Sequence, residues 1–301
     1  MSIAHDLFLA SDLKIFPPGK NDKADQELWN SSYSHLNEEQ RKKWEAYYGP
    51  KNKAFYNANF TGKDLVRYKY QRFIKDYLRV VASADKNIGR ILNYLDKTNL
   101  SKNTIVIYTS DQGFFLGEHG WFDKRFMYEE SIRMPLLVRY PREIKPGSVT
   151  DAMVLNLDFA PTFLDFAGVP EPEDMQGRSL RALLKGKTPE DFRTSMYYHY
   201  YEYPGWHMVK RHYGVRTKRY KLIHFYDDIS AWEMYDLEED PDELHNVYAD
   251  RAYTNTKKQL KNELNSLREK FGDSDELTKR FLQEYPGEKP MIYRYLKVEK
   301  Q

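Results

Sequence analysis

Apolar positions recur at three- and four-residue steps from Tyr70 through Phe73, Ile74, Tyr77, Leu78, Val81, Ala84, Ile88, Ile91, Leu92 and Leu95. That period predicts one long helix over 62–97, with Lys, Arg and Asp on its opposite face. Such a helix covers a sheet on one side and meets water on the other. A β-branched run over 104–109 follows a short loop and predicts a strand, an αβ pair of the kind that builds layered α/β domains. A second apolar run over 134–140, closed by Arg133 and Pro141, predicts a buried strand. Residues 155–167 predict a helix with Pro161 as an irregularity inside it and Gly168 past its end. Ahead of all these, helical pieces are expected near 1–15 and 37–48, punctuated by Pro17-Pro18-Gly19 and Gly49-Pro50.

The pattern changes past residue 188. A Pro/Gly-punctuated loop over 169–190, holding a short amphipathic piece at 179–184, gives way to a tyrosine-rich tract at 196–203. Gly214-Val215-Arg216-Thr217 and the segment 220–226 alternate like two strands joined by the turn Lys218-Arg219. Residues 232–237 supply a third strand, acidic turns follow, and a charged helix over 254–270 precedes an irregular tail. The expected architecture is an α/β fold in two parts: a main α/β domain over 1–187, and a subdomain over 188–301 with a small antiparallel sheet packed on a helix.

Composition narrows the chemistry. The 301 residues carry 47 Lys+Arg against 45 Asp+Glu, a net charge of +2. A nucleic-acid binder would show a basic excess on some segment, so nucleic acid is excluded as a partner. No apolar run is long enough to span a membrane. Cysteine is absent, which removes disulfides, thiolate metal sites and a cysteine nucleophile from this chain. The start, Met1-Ser2-Ile3-Ala4-His5-Asp6, lacks the basic and apolar regions of a signal peptide. The 25 tyrosines suit packing beneath a wet surface or stacking on sugars.

The 104–109 strand ends at Asp111-Gln112-Gly113, and Lys124 follows thirteen positions after the carboxylate. Ligands of open α/β sheets gather beyond the carboxyl ends of strands. Asp111 and Gln112 there offer two oxygens suited to Ca²⁺ or Mg²⁺, and Lys124 offers a compact positive charge to an anion. The local sequence alone leaves a second reading open, since an aspartate after a strand also serves as a cap. His119 in Gly-Glu-His-Gly shapes a turn as readily as it binds a metal, and stays outside the metal set. Asp123 and Arg125 read as a local ion pair. In the tract before Gly214, Trp206, His207, Arg211 and His212 form either a sugar-contacting loop or an aromatic core. His207 and His212 are taken forward as glycan contacts.

The stretch from Ser110-Asp111-Gln112-Gly113 through Gly117-Glu118-His119-Gly120 to Lys124-Arg125 closely resembles the type I sulfatases of the alkaline phosphatase superfamily. So do Tyr128-Glu129-Glu130-Ser131, Asn156-Leu157-Asp158, Gln176-Gly177-Arg178-Ser179, Gly214-Val215-Arg216-Thr217 and Tyr235-Asp236-Leu237, all in the family's order. The tract 198–212 looks most like bacterial N-acetylglucosamine-6-sulfatases acting on mucin and glycosaminoglycan glycans. The resemblance implies that Asp111 and Gln112 are calcium ligands and that Lys124 contacts the substrate sulfate. It also implies a periplasmic or extracellular setting. The family's first Asp-Asp pair, its Cys/Ser-x-Pro-x-Arg nucleophile motif (the source of formylglycine) and its general-acid histidine belong upstream of the matched blocks. No serine of this chain is followed two residues later by proline.

The chain is therefore expected to be the C-terminal portion of a sulfatase, inactive alone, with a separate N-terminal sulfatase polypeptide as a partner and a sulfated glycan as substrate. Two other classes stay open: a phosphoric mono- or diester hydrolase of the same superfamily, and a non-catalytic glycan-binding remnant.

Overall fold

The structure is a computed structural model that describes residues 2–10, 12–15, 34–203, 207–227 and 229–284. In chain order the first helices are α1 (Glu38–Ala58) and α2 (Gly62–Lys97). Short strands follow: β1 (Val106–Thr109), β2 (Phe115–Leu116) and β3 (Phe122–Asp123). Next come the one-turn helix α3 (Glu129–Ile132), β4 (Leu136–Arg139), α4 (Phe159–Ala167) and the one-turn α5 (Arg181–Leu184). The remaining strands are β5 (Ser195–Tyr200), β6 (His212–Thr217), β7 (Tyr220–Phe225) and β8 (Ala231–Asp236), closed by α6 (Thr254–Lys270) and α7 (Asp275–Glu284). The chain divides into two compact units, Met1–Thr98 with Phe114–Asp123, and Asn99–Gly113 with Lys124–Gln301. The expected boundary at 188 falls inside the second unit.

In the first unit, α1 starts with a reciprocal cap. The Asn37 side chain accepts from the Gln40 N–H, and the Asn37 N–H donates to the Gln40 amide oxygen, both at 2.9 Å. The helix then runs straight through Gly49-Pro50, where a break was expected. A single proline removes one donor, and the turns on either side hold the element together. The described residues of 1–15 form hydrogen-bonded turns rather than the expected helix. Ile3, Leu7, Leu13 and Ile15 pack there against Phe55, Tyr68, Phe73 and Phe122. α2 spans the predicted range, and its first half supplies core residues Leu65, Val66 and Phe73. Further along, the stripe is bare: Leu78, Val81, Ile91 and Tyr94 are all exposed. Gly117 adopts φ +129°, and a Cβ there would meet the Tyr70 ring at 2.7 Å. Only glycine suits both demands.

In the second unit, β1 and β4 pair antiparallel, with Ile107 opposite Val138 and Thr109 opposite Leu136. Asp158 sits at the start of α4, fully buried. It accepts from the Leu155 and Arg178 N–H groups (2.8 and 2.9 Å) and from both terminal nitrogens of Arg193 (2.5 and 2.6 Å). Strands β5 to β8 form one antiparallel sheet in sequential order. β6 and β7 join at Lys218-Arg219, as predicted. The Arg219 guanidinium grips Asp236 through two contacts at 2.8 and 2.7 Å. α6 covers one face of the sheet, and Leu260, Leu264 and Leu267 pack onto Val215, Leu222 and Met234.

Several elements escaped the sequence reading, among them the short β2, β3 and α3, and also β5 and α7. β5 shows no period of two, because all six of its side chains are partly covered. α7 occupies part of the expected irregular tail. Leu222 is fully buried between β6 and α6. Leu222→Ala is therefore expected to cost about 2–5 kcal/mol, read as a lowered urea midpoint at unchanged slope. A loss below about 1 kcal/mol would show that this core collapses around the gap.

Candidate functional site

The chain leaves the second unit at Gly113 and re-enters it at Lys124. The thirteen-position offset between Asp111 and Lys124 thus includes a ten-residue excursion, Phe114–Asp123, through the β2–β3 hairpin. On return, the Lys124 ammonium lies 3.9 Å from an Asp111 carboxylate oxygen. The Asp111 side chain is 88% exposed and that of Lys124 31%. The backbone on both sides of Lys124 is in the left-handed region, with φ +78° at Asp123 and +104° at Arg125. Non-glycine residues adopt such angles at an energetic cost, and they do so where surrounding contacts over-determine them. Arg125 contributes hydrogen bonds through its backbone N–H and carbonyl.

Gln112 is oriented from behind. Its Nε2 donates to the Ser131 carbonyl at 2.5 Å and lies 3.3 Å from the Ser131 hydroxyl. With the nitrogen end of the amide anchored, the oxygen end is the one turned away from Ser131. The Gly113 N–H donates to the same carbonyl at 2.9 Å, and a Cβ on Gly113 would overlap the Glu130 carbonyl. The Ser131 hydroxyl accepts the Arg125 N–H at 2.9 Å, and the Tyr198 hydroxyl donates to the Arg125 carbonyl at 2.7 Å. One fully buried serine therefore braces the chain just after Asp111 and just after Lys124.

Asp111 and Gln112 line one broad cavity of about 940 Å³, together with Glu129, Arg133, Arg193 and Arg216. A carboxylate and an amide oxygen side by side are the donor types a hard cation takes, so the pair fits Ca²⁺. Among the described residues no group of three or more His, Cys, Asp or Glu converges to hold a metal. The pair offers two such oxygens, and the Lys124 ammonium lies beside the Asp111 carboxylate.

The two histidines expected at sugar contacts fare differently. His212 has no exposed surface. Its ring stacks against Phe126, Tyr198 and Tyr200, with Nδ1 2.7 Å from the Lys210 carbonyl. Burial holds its pKa down at about 4, against the pull of the Lys210 carbonyl. A ring enclosed on all sides packs the sheet, and its assignment to a glycan is corrected accordingly. Arg211 also turns inward, pairing with Asp227 and donating to the Tyr201 carbonyl at 3.0 Å. His207 is half-buried in the loop that Arg211 closes. Trp206 lies outside the described residues. The His119 ring lies tilted against Trp121 and edge-on to Phe115.

Charged residues that the sequence reading passed over lie behind this site. Arg216 and Lys221 are register partners on β6 and β7, a cross-strand like-charge pair that is unfavourable by itself. Glu129 fits between them. Its Oε1 is 3.2 Å from Arg216 Nε and 2.9 Å from Lys221 Nζ, and its Oε2 is 3.0 Å from Arg216 Nη2. Glu243 completes the group, with Oε1 2.7 Å from Lys221 Nζ and Oε2 accepting the Glu129 N–H at 2.7 Å. Lys221 is fully buried and Glu243 nearly so. A signal was present in the sequence: two cations facing across a two-residue turn need an acid from elsewhere. A second missed cluster is His199, 2.6 Å from both the Asp273 carboxylate and the Tyr226 hydroxyl.

Comparison with known proteins bears directly on these residues. The family model described as Sulfatase matches residues 18–169, and that of the N-sulphoglucosamine sulphohydrolase C-terminal region matches 117–270. The chain belongs to the sulfatase family. An N-acetylglucosamine-6-O-sulfatase of Bacteroides thetaiotaomicron is 50% identical over 91% of the chain and 50% of its own length. A protein structure solved in complex with its substrate D-glucosamine-2-N,6-O-disulfate superposes with TM-score 0.85 at 50% identity, covering 91% of this chain and 56% of that one. A phosphonate monoester hydrolase from Silicibacter pomeroyi gives TM-score 0.61 at 27% identity, over 67% of this chain and 42% of its own. The chain thus spans about half the length of these relatives.

The buried acids make stability depend on pH with opposite signs. Burial pushes the Glu243 carboxyl up to about 7, against the pull of Lys221. Burial would raise Glu129 too, but Lys221 and Arg216 outweigh it and hold its carboxyl at about 2. Glu129 therefore contributes stability above about pH 4.5 that is lost as pH falls through about 2. Glu243 contributes stability below about 4.5 that is lost as pH rises through about 7. The Glu243 contribution to the denaturation midpoint is expected to fall between pH 5 and 7.5 (roughly the Glu243 window) in the unaltered chain, against the rise that buried histidines such as His212 give over the same range. That fall should shrink in Glu243→Gln. An identical pH profile in the variant would contradict the assignment.

Proposed function

We propose that the complete fold to which this sulfatase-family chain contributes hydrolyses sulfate monoesters of glycans, at the 6-position of N-acetylglucosamine in mucin or glycosaminoglycan chains. One observation supports it most: the Lys124 ammonium beside the Asp111 carboxylate, in a chain half identical to an N-acetylglucosamine-6-O-sulfatase. Asp111 and Gln112 would hold the calcium ion, which when bound supplies positive charge to the sulfate oxygens. Lys124 adds a second cation there. Placed cations of this kind stabilise the charge that grows in the transition state, usually the greatest single source of rate acceleration in such sites. His207, in the loop closed by Arg211, would meet the sugar.

The nucleophile and the general acid lie in the rest of the fold, whether in the same polypeptide or in a second, N-terminal sulfatase polypeptide. The bare apolar stripe on α2 suits burial against a protein partner of that sort. A periplasmic or extracellular setting suits a glycan substrate, and no described helix is long and apolar enough to cross a membrane. The likeness to a phosphonate monoester hydrolase keeps phosphoryl esters as the second reading.

Both readings meet in one experiment. These 301 residues are joined to the amino-terminal half of the Bacteroides enzyme, and ester hydrolysis is measured. The chimaera is expected to release sulfate from N-acetylglucosamine-6-sulfate, and Lys124→Ala to slow it by about 100-fold or more. The 301-residue chain alone is expected to release none. Preference for phosphate or phosphonate esters, or full activity without Lys124, would overturn the proposal.

A further inference from the structure

α3 is a single turn of four residues, and its N-cap residue, Tyr128, makes no side-chain capping bond. A helix this short has no stability of its own, so outside contacts must set its position. Those contacts form a closed ring. The Glu129 N–H meets Glu243, Glu243 meets the Lys221 ammonium, and Lys221 returns to the Glu129 carboxylate, at 2.7, 2.7 and 2.9 Å. Arg216 adds a two-pronged grip on the same carboxylate. Two residues further on, Ser131 offers its carbonyl to Gln112 and Gly113 and its hydroxyl to the Arg125 N–H. The helix thus links the four-stranded sheet to the segments that bear Gln112 and Lys124.

We infer that Glu129 is a positioning residue for the cation site: held by Arg216, Lys221 and Glu243, it sets the Ser131 turn that aims the Gln112 amide and fixes the backbone beside Lys124. The inference rests on the reading of Asp111 and Gln112 as metal ligands given above. It assigns the C-terminal sheet a part in metal binding, although that sheet provides no ligand.

The test is calorimetric titration of the full chain with Ca²⁺, at a temperature where circular dichroism shows every variant folded. Asp111→Asn tests the ligand reading, and Glu129→Gln and Ser131→Ala test the positioning. Arg219→Ala is the control, because it breaks an ion pair of the same sheet, with Asp236, without touching the Ser131 turn. Glu129→Gln and Ser131→Ala should each weaken Ca²⁺ binding by about tenfold or more, the usual effect of removing a group that orients a metal ligand. Arg219→Ala should leave the affinity unchanged while lowering the unfolding midpoint. If Glu129→Gln lowers only the midpoint, its role is merely structural and the inference is wrong. If Asp111→Asn leaves binding unchanged, the ligand reading fails and takes the inference with it.

Discussion

Glu129 stands between two cations that a tight hairpin sets face to face, and much of the second unit depends on that arrangement. Without the carboxylate, Arg216 and Lys221 would repel across β6 and β7, with Lys221 fully buried. Without the cations, Glu129 and Glu243 would be two acids sharing one desolvated space. Removing Glu129 leaves the buried Lys221 ammonium without its ionised partner, at a cost of about 3–5 kcal/mol. Such a cluster contributes less to net stability than apolar packing would. Its effect is to give one relative placement of α3 and the sheet a large advantage over others.

That placement explains how a site can be built on two short segments separated by a ten-residue excursion. Neither segment is rigid by itself: one is the loop after a four-residue strand, the other a kinked stretch with two left-handed residues. Ser131 ties both to a third element, and the ion cluster ties that element to the sheet. The candidate ligands occupy the wet end of this chain of contacts, and the charges that brace them occupy the dry end.

Much of this was legible in the sequence wherever one period ran long enough. α2, β6, β7, β8 and α6 follow directly from apolar spacing, and the Asp-Gln-Gly close of the β1 segment points to ligand chemistry. β5 was not legible, because a strand whose side chains are all partly covered shows no alternation. Gly49-Pro50 misled, since turn residues in the middle of a long helix are outvoted by their neighbours. His212 misled for another reason. A histidine in an aromatic-rich tract has the same local sequence whether it faces a sugar or stacks in a core, and burial alone decides. The Glu129 cluster joins residues 87 positions apart and more, which no local pattern can reveal.

The central claim is that Asp111 and Gln112 present two oxygens to one divalent ion beside Lys124. A crystal structure grown in Ca²⁺, with the ion located by its anomalous scattering, tests this most directly. The account predicts one ion within about 2.3–2.6 Å of an Asp111 carboxylate oxygen and of the Gln112 amide oxygen, with the Gln112 nitrogen still on Ser131. An ion bound elsewhere, or a Gln112 amide turned with its nitrogen toward the ion, would contradict it.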